Sequence, residues 1–354
     1  MKIGVPKEIK VLEFRVGLSP SSVREVVKNG HEVIVESQAG EGSGFSDIEY
    51  RESGAQIVPT MEEVYVLSEL IVKIKEPQKA EYALLKAHHT LFTYLHLAAS
   101  SSLTDALVKS GATCIAYETV QKQDGTLPLL QPMSEIAGRL SVMEGAKYLQ
   151  KAFGGKGKLI SGAPGVAPAH VVVLGGGTVG THAARMASGL GARVTLFDKN
   201  LARLRYLEER SFQQVTCLYS TEAAITKALA TADIVIGGVL IPGKEAPKLV
   251  QKEHLTLMEK GTVLVDVAID QGGCFQTSHP TNHQDPIYLV DGIVHYCVAN
   301  MPGSVPHTAT ESLNNATLPY VLQLANKGAE KALSENKELE MGLNIKDGKV
   351  CIEL

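Results

Sequence analysis

Short apolar, β-branched runs alternate with segments of helical period along most of this chain. MKIGVP predicts a strand, and Ser19-Pro20 opens a capped helix (SSVREVVKNG) that Gly30 ends. HEVIVE is a second strand, AGEGSGFS a glycine-rich loop, DIEYRESGA a short helix and AQIV a third strand. LIVKIK predicts a strand ending at Lys75, and TLFTYLHLAAS a strand that breaks into a loop at His96. SLTDALVKSGATCIAYET then gives a helix followed by a strand. This alternation predicts one α/β unit with a mostly parallel sheet over residues 1 to about 125. From Met133 to Phe153 the pattern is continuously helical, a connector to a second α/β unit. TCLYS, ADIVIGGVL, GTVLVDVAID and a last long run, YLVDGIVHYCVAN, predict the later strands of that unit. From Thr308 the chain turns helical again, and the simplest arrangement returns those helices to the first unit.

Between the connector and those later strands lies HVVVLGGGTVGTHAARMASGLGARVTLFD, His170 to Asp198. Val171 to Leu174 predicts a buried parallel strand. Gly175, Gly177 and Gly180 stand at GxGxxG spacing where that strand must turn into a helix, which Gly191 ends. The first glycine permits the turn, the second lets backbone approach a pyrophosphate, and the third lets helix pack on strand. The helix N-terminus offers N–H groups and a positive dipole end to phosphates. A second strand, Arg193 to Phe197, finishes on Asp198, whose carboxylate suits the two hydroxyls of an adenosine ribose and repels a 2′-phosphate. A glycine turn used only for packing is the plain alternative. Strand, helix, second strand and acid all stand at the expected distances, so the pattern points to NAD in preference to NADP.

Composition narrows the picture further. The chain has 354 residues, 44% hydrophobic and 20% charged, which suits a two-domain globular protein. A net charge of −4 offers no basic field for nucleic acid. No apolar run approaches the roughly 18 residues of a membrane span, and the N-terminus lacks a signal-peptide core. Five scattered cysteines without a CxxC pair argue for reduced thiols in a cytoplasm and against a zinc site.

Catalytic groups in an open α/β sheet belong at the C-terminal ends of strands. Arg15, Lys75, His96 and Asp270 meet that condition or sit on adjacent loops. A guanidinium at Arg15 can clamp a carboxylate, although a surface ion pair explains it equally well. Lys75 reads otherwise as a solvated strand-end lysine. His96 lies in an apolar stretch, where a satisfied core histidine competes with a proton-transfer role. Asp270 ends VLVDVAID, and its rival Asp266 lies mid-strand, where structural hydrogen bonds are the simpler account.

The segments EFRVGLSP, KIKEP, LFTYLHLAAS, AYETVQ, PLLQPMSEIAGRLSV, VVVLGGGTVG, VLVDVAIDQGG and YCVANMPGSVPHT resemble, in the same order, the bacterial alanine dehydrogenase family. Its relatives are the NAD-binding subunit of proton-translocating transhydrogenase and the saccharopine dehydrogenases. The resemblance covers residues 1 to about 310, and VDVAIDQGG joined to VANMPGSVP is its most specific part. It implies two Rossmann-like domains with mostly parallel sheets, linked by a long helix, with the cleft between them. Residues 1–129 with 305–354 would form a discontinuous substrate domain, and 130–304 the NAD-binding domain. The implied reaction is reversible NAD-dependent oxidative deamination of L-alanine to pyruvate and ammonia in a cytoplasmic homohexamer, with no membrane or nucleic-acid partner and no metal.

Position by position, the resemblance implies that Arg15 and Lys75 hold the substrate carboxylate, His96 is the general acid/base, and Asp270 orients the water that adds to the imine. Ser134, Thr178 and Val179 would meet the cofactor phosphates beside Gly175, Gly177 and Gly180. Asp198 would take the adenosine ribose, with Arg203 and Ser220 at the adenine end. Val239 and Leu240, Val267, Ala268, Ile269 and Asp270, and Val298, Ala299, Asn300 and Met301 would line the nicotinamide side. His279 and His307 stand where basic residues are common in the family. A transhydrogenase-like subunit, a non-catalytic NAD-binding module, and an oxo-acid amination with another substrate are the competing functions. Presence of all four polar candidates disfavours the first two.

Overall fold

A computed structural model describes residues 1–210, 215–239 and 245–353. The chain forms two compact units, Met1–Met133 with Val305–Leu354 and Ser134–Ser304. Each is a mostly parallel sheet with helices, the α/β architecture that the alternating pattern predicts.

The first unit carries β1 (Lys2–Val5), β2 (Glu32–Glu36), β3 (Gln56–Val58), β4 (Leu70–Val72), β5 (Thr90–Thr93) and β6 (Thr113–Ala116). The second carries β7 (His170–Leu174), β8 (Arg193–Asp198), β9 (Val215–Tyr219), β10 (Ile234–Gly237), β11 (Val263–Asp266), β12 (Ile287–Val290) and β13 (Ile293–Tyr296). The C-terminal segment returns β14 (Leu343–Lys346) and β15 (Lys349–Val350) to the first sheet, antiparallel at its edge. The first sheet runs β15-β14-β6-β5-β4-β1-β2-β3 and the second β12-β13-β11-β10-β7-β8-β9.

Both orders place a switch point beside the first strand of the unit. From β1 the chain winds outward through β2 and β3, then returns to the other side at β4; from β7 it winds through β8 and β9, then returns at β10. Loops leaving the C-terminal ends of β1 and β4, or of β7 and β10, therefore diverge and leave a crevice, the usual seat of a ligand in such sheets. The strands themselves are fixed by burial on both faces. Ile3, Val5, Leu70, Ile71 and Val72 are fully buried in the first unit, as are Val171, Val172, Val173, Ile234, Val235 and Ile236 in the second.

Beyond the C-terminal strands β14 and β15, the elements differ from the sequence reading at three further places. The long helix spans Gln131–Tyr148, and Lys151–Phe153 is a separate 3₁₀ turn. Glycine explains the earlier stop: Gly154 takes φ 93°, and a Cβ on Gly155 would lie 2.2 Å from the Tyr148 carbonyl oxygen, so the chain folds back on the helix end. The last run of the second sheet is a hairpin, β12 and β13, turning at Asp291-Gly292 with φ 52° and 84°. Strand β4 ends at Val72, and Lys73 to Lys75 continue beyond it as an irregular segment.

Candidate active site

In the first unit three of the sequence candidates follow neighbouring strands: Arg15 lies on the loop after β1, Lys75 after β4, and His96 after β5. A Cβ on Gly17 would stand 2.3 Å from the Val72 carbonyl oxygen, so glycine there lets the Arg15 segment run against the end of β4. Arg15 is 2% exposed and makes a two-bonded pair with Glu13: Nε donates to Oε1 at 2.7 Å and Nη2 to Oε2 at 2.6 Å. Its Nη1 points to Met133 Sδ at 3.1 Å. Burial alone would raise the Glu13 carboxyl, but the hydrogen bonds and charge of Arg15 outweigh it and hold Glu13 below the usual carboxylate range. Lys75 is pushed down from the ordinary lysine range, first by burial and then by the charges of Arg15 and Lys10. Glu8 accepts the Ile74 and Lys75 N–H groups, and Thr93 Oγ1 donates to the Lys75 carbonyl at 3.0 Å.

His96 sits in the left-handed region at φ 50°, ψ 46°, a conformation that costs a non-glycine residue and recurs at functional positions. Glu118 maintains it: the carboxylate accepts the Leu95 N–H at 3.0 Å and the His96 N–H at 2.6 Å. The same carboxylate lies 3.8 Å from His96 Nδ1, and the imidazole side chain is 47% exposed. Tyr94 stacks on the imidazole with ring centroids 5.9 Å apart and planes 7° from parallel, while its hydroxyl donates to the Leu129 carbonyl at 2.6 Å. Arg15, Lys75 and His96 are thus held on three adjacent loops. Glu8, Glu13 and Glu118 organise them, and sequence pattern did not single out these acids, because each is a lone acid whose partners lie on other loops or strands or only in the folded turn.

In the second unit the turn after β7 has the predicted glycine geometry. Gly175 takes φ 100°, and a Cβ there would meet Val239 Cγ2 at 2.8 Å. A Cβ on Gly180 would overlap the Gly175 carbonyl oxygen at 1.8 Å, so that position is forced by packing. Gly177 caps the helix Thr178–Gly189, and a Cβ on it would meet nothing within 4 Å. Open space at the helix N-terminus is what a dinucleotide pyrophosphate requires, so the residues present fit that group. Asp198 ends β8, where Oδ2 accepts the Gly176 N–H and Oδ1 the Asn200 N–H, each at 2.7 Å. Arg203 spans the same turn, with Nε donating to the Gly176 carbonyl at 2.6 Å and Nη2 to Thr181 Oγ1 at 2.8 Å. The Ser220 N–H donates to the Asp198 carbonyl at 2.9 Å.

Ser134 stands one helical turn before Gly138, whose Cβ position would fall 2.3 Å from the Val179 carbonyl oxygen, so the long helix lies close on Thr178-Val179. The Val267 N–H donates to the Gly237 carbonyl, carrying the pairing of β10 and β11 past their ends toward Ala268, Ile269 and Asp270. Asp270 is exposed on the 3₁₀ turn Ile269–Gln271. Val298, Ala299 and Asn300 follow β13, with Asn300 at φ 59°, before Met301 opens a further turn. Leu240 lies outside the described residues. His279 stacks on Tyr288 at 3.6 Å in this unit, and His307 bonds the Ser43 carbonyl at 2.7 Å in the other.

Asp266, fully buried at the end of β11, fastens the segment bearing Asp270. Oδ1 accepts the N–H groups of Ala268 (3.2 Å) and Cys274 (3.0 Å), and Oδ2 those of Phe275 (3.2 Å) and the Ser278 hydroxyl (2.5 Å). Burial raises its pKa, and these donors offset only part of that. Lys248 Nζ donates to the carbonyls of Gly272 and, at 2.9 Å, Gly273. Among the described residues no group of three or more His, Cys, Asp or Glu could hold a metal ion, and no helix is long and apolar enough to cross a membrane.

Two family models match along the chain: the N-terminal domain of alanine dehydrogenase/PNT over residues 4–137 and its C-terminal domain over 141–353. The chain belongs to the alanine dehydrogenase/PNT family. It is 56% identical over 350 residues to the alanine dehydrogenase of Halomonas elongata, covering 99% of this chain and 94% of that protein. It is 52% identical over 354 residues to that of Methanococcus maripaludis, covering 100% and 95%. A solved L-alanine dehydrogenase structure superposes with a TM-score of 0.97 at 55% identity, covering 99% of this chain and 97% of that one. A transhydrogenase from Sinorhizobium meliloti shares the fold, with a TM-score of 0.85 at 24% identity over 99% of both chains. Within the alanine dehydrogenase/PNT family, the resemblance carried by EFRVGLSP, VDVAIDQGG and VANMPGSVP holds over the whole length.

Proposed function

We propose that this chain catalyses the reversible NAD-dependent oxidative deamination of L-alanine to pyruvate and ammonia. The observation that carries the reading is the set Arg15, Lys75 and His96 on three adjacent strand-end loops, in a member of a family whose similar proteins are alanine dehydrogenases. Residues 1–129 with 305–354 supply substrate binding and proton transfer, and residues 130–304 bind NAD. A transhydrogenase-like role or a different oxo acid is not favoured, because identity to the alanine dehydrogenases is 52–56% and to the transhydrogenase only 24%.

Gly175, Gly177, Thr178, Val179, Gly180 and Ser134 meet the pyrophosphate. Asp198 takes the adenosine ribose diol, with Arg203 and Ser220 toward the adenine. Val239, Val267 to Asp270, and Val298 to Met301 line the nicotinamide side. Bound NAD supplies the acceptor for the hydride leaving the alanine α carbon. Arg15 and Lys75 anchor the substrate carboxylate by charge-assisted hydrogen bonds. Glu13 fixes the plane in which the Arg15 guanidinium meets it. His96 removes and returns protons at the substrate nitrogen and the attacking water. Asp270 orients that water at the imine carbon, and the carbinolamine collapses to ketone and ammonia. We place the enzyme in the cytoplasm as a homohexamer; exposed Met143, Leu159 and Val166 offer apolar surface that association would cover.

The test is NADH formation, followed by absorbance, with NAD and L-alanine at alkaline pH, for wild type, His96→Ala and Asp270→Asn. Turnover in wild type that both variants lose while still binding NAD supports the reaction and both roles. A wild type that binds NAD but turns over no alanine overturns the reading.

A further inference from the structure

The first unit buries a charged cluster that the proposed chemistry does not use. Lys73 and Glu81 are fully buried and Glu8 is nearly so. Lys73 Nζ lies 2.8 Å from Glu81 Oε1 and 3.2 Å from Glu8 Oε2. Tyr65 donates its hydroxyl to Glu81 Oε1 at 3.0 Å, and the Gln78 N–H donates to Glu81 Oε2 at 2.7 Å. Burying three ions costs free energy that mutual attraction repays only when every oxygen finds a donor. The remaining oxygen of Glu8 shows where that cost is used: Oε1 accepts the Ile74 N–H at 2.6 Å and the Lys75 N–H at 3.3 Å.

Topology explains why a carboxylate is needed there. Strand β4 pairs with β1 only through Ile71, and β1 ends at Val5, so beyond the switch point residues 73–75 have, among the described residues, no strand on that side. On the other side the ladder continues: the Lys73 N–H donates to the Phe92 carbonyl, the Tyr94 N–H to the Ile74 carbonyl, and Thr93 Oγ1 to the Lys75 carbonyl. Glu8 stands in for the missing strand. Its ion pair with Lys73 and its two N–H bonds fasten three consecutive residues, the last of which is Lys75.

We propose that Glu8 is a positioning residue for Lys75, replacing a strand neighbour with a carboxylate so that the lysine backbone is locked beside Arg15. Lys73 aims Glu8 through its ion pair, and Glu81 holds the Lys73 ammonium from the other side. The proposal rests on Lys75 as a ligand of the substrate carboxylate, so wild-type turnover with alanine and pyruvate is measured first.

Two changes separate reach from charge. Glu8→Asp keeps the charge beside Lys73 but withdraws the oxygen from Ile74 and Lys75 by about one C–C bond, ~1.5 Å. The triple change Glu8→Gln, Lys73→Met, Glu81→Gln removes the buried charges yet leaves a carbonyl able to accept the same N–H groups. Misplacement of a substrate ligand on this scale costs on the order of 10²-fold. Glu8→Asp is therefore expected to raise the KM for pyruvate and lower kcat/KM by about 10- to 100-fold, with the Kd for NAD unchanged, and the triple variant to stay several-fold closer to wild type. Should Glu8→Asp not fold, the triple background with Met in place of Gln at position 8 supplies the comparison, because Met lacks the acceptor. A folded Glu8→Asp whose pyruvate KM matches wild type, or Gln and Met backgrounds with equal KM and kcat, would overturn the positioning role. Absence of turnover in the wild type itself overturns the alanine reading beneath it.

Discussion

Arg15 and Glu13 lie two residues apart on one loop, and their side chains are joined fork to fork at 2.7 and 2.6 Å with almost no exposure. Glu13 thus supplies a hydrogen-bonded counter-charge to a buried guanidinium. Removing one partner of such a pair leaves the other uncompensated, a loss of about 3–5 kcal/mol. Glu13→Ala should lower stability by that amount in urea unfolding. Glu13→Gln should lose less and raise the KM for pyruvate, because the plane of Arg15 is no longer fixed. A Glu13→Ala protein with wild-type stability would show that the pair contributes nothing.

Gly177 and Gly180 stand in the same turn for different reasons. A Cβ on Gly180 would overlap the Gly175 carbonyl oxygen, whereas one on Gly177 points into open space from an unstrained φ of −67°. Gly180→Ala should therefore unfold or rearrange the second unit. Gly177→Ala should keep its stability within about 0.5 kcal/mol, as an uncrowded surface change does. Its Kd for NAD should nonetheless rise at least about tenfold, ~1.4 kcal/mol, since the methyl group takes pyrophosphate space. Calorimetric titration with NAD and thermal unfolding of the same samples decide it; unchanged affinity would mean that the open space serves no phosphate.

Asp266 accepts four donors, two on each oxygen, around the segment that carries Asp270. An amide at this position keeps one accepting oxygen and turns an NH₂ toward groups that also donate. Asp266→Asn should cost about 1–3 kcal/mol of stability for the buried donors left unpaired. With the Asp270 turn loosened, kcat should fall at least about tenfold. Steady-state kinetics beside denaturant melts would reveal a clamp of no catalytic consequence if stability fell and kcat did not.

The sites that were legible in the sequence are those set by backbone geometry. Gly175, Gly177, Gly180 and Asp198 encode a turn, an approach, a close packing and a strand end, and each requires a particular residue type. Burial of charge was not legible. In LIVKIK the two lysines look alike, yet Lys73 is fully buried and Lys75 only partly so, because the partners of Lys73 are Glu8 and Glu81, in other segments of the chain. Both hairpins also escaped notice: Asp291-Gly292 and Asp347-Gly348 take positive φ at both positions, but apolar residues on each side of the first merge into one apparent strand. The strands β14 and β15 were hidden in what read as a helical tail, because an edge pair of four and two residues carries too short an alternation to register.

With Lys75 as a ligand of the substrate carboxylate, pyruvate binding should depend on pH. Burial, then the charges of Arg15 and Lys10, depress its pKa from the ordinary lysine value, while Glu13 and Glu76 oppose the shift. Only the protonated ammonium attracts a carboxylate. Affinity attributable to Lys75 is therefore fully present below its lowered pKa and is lost as pH rises through it. The KM for pyruvate, measured with NADH and ammonia in excess, should climb with pH from a point below the ordinary lysine range. In Lys75→Arg the guanidinium stays charged throughout, so that climb should flatten even if the absolute KM is worse. The same KM rise in both proteins would assign the titration to another group.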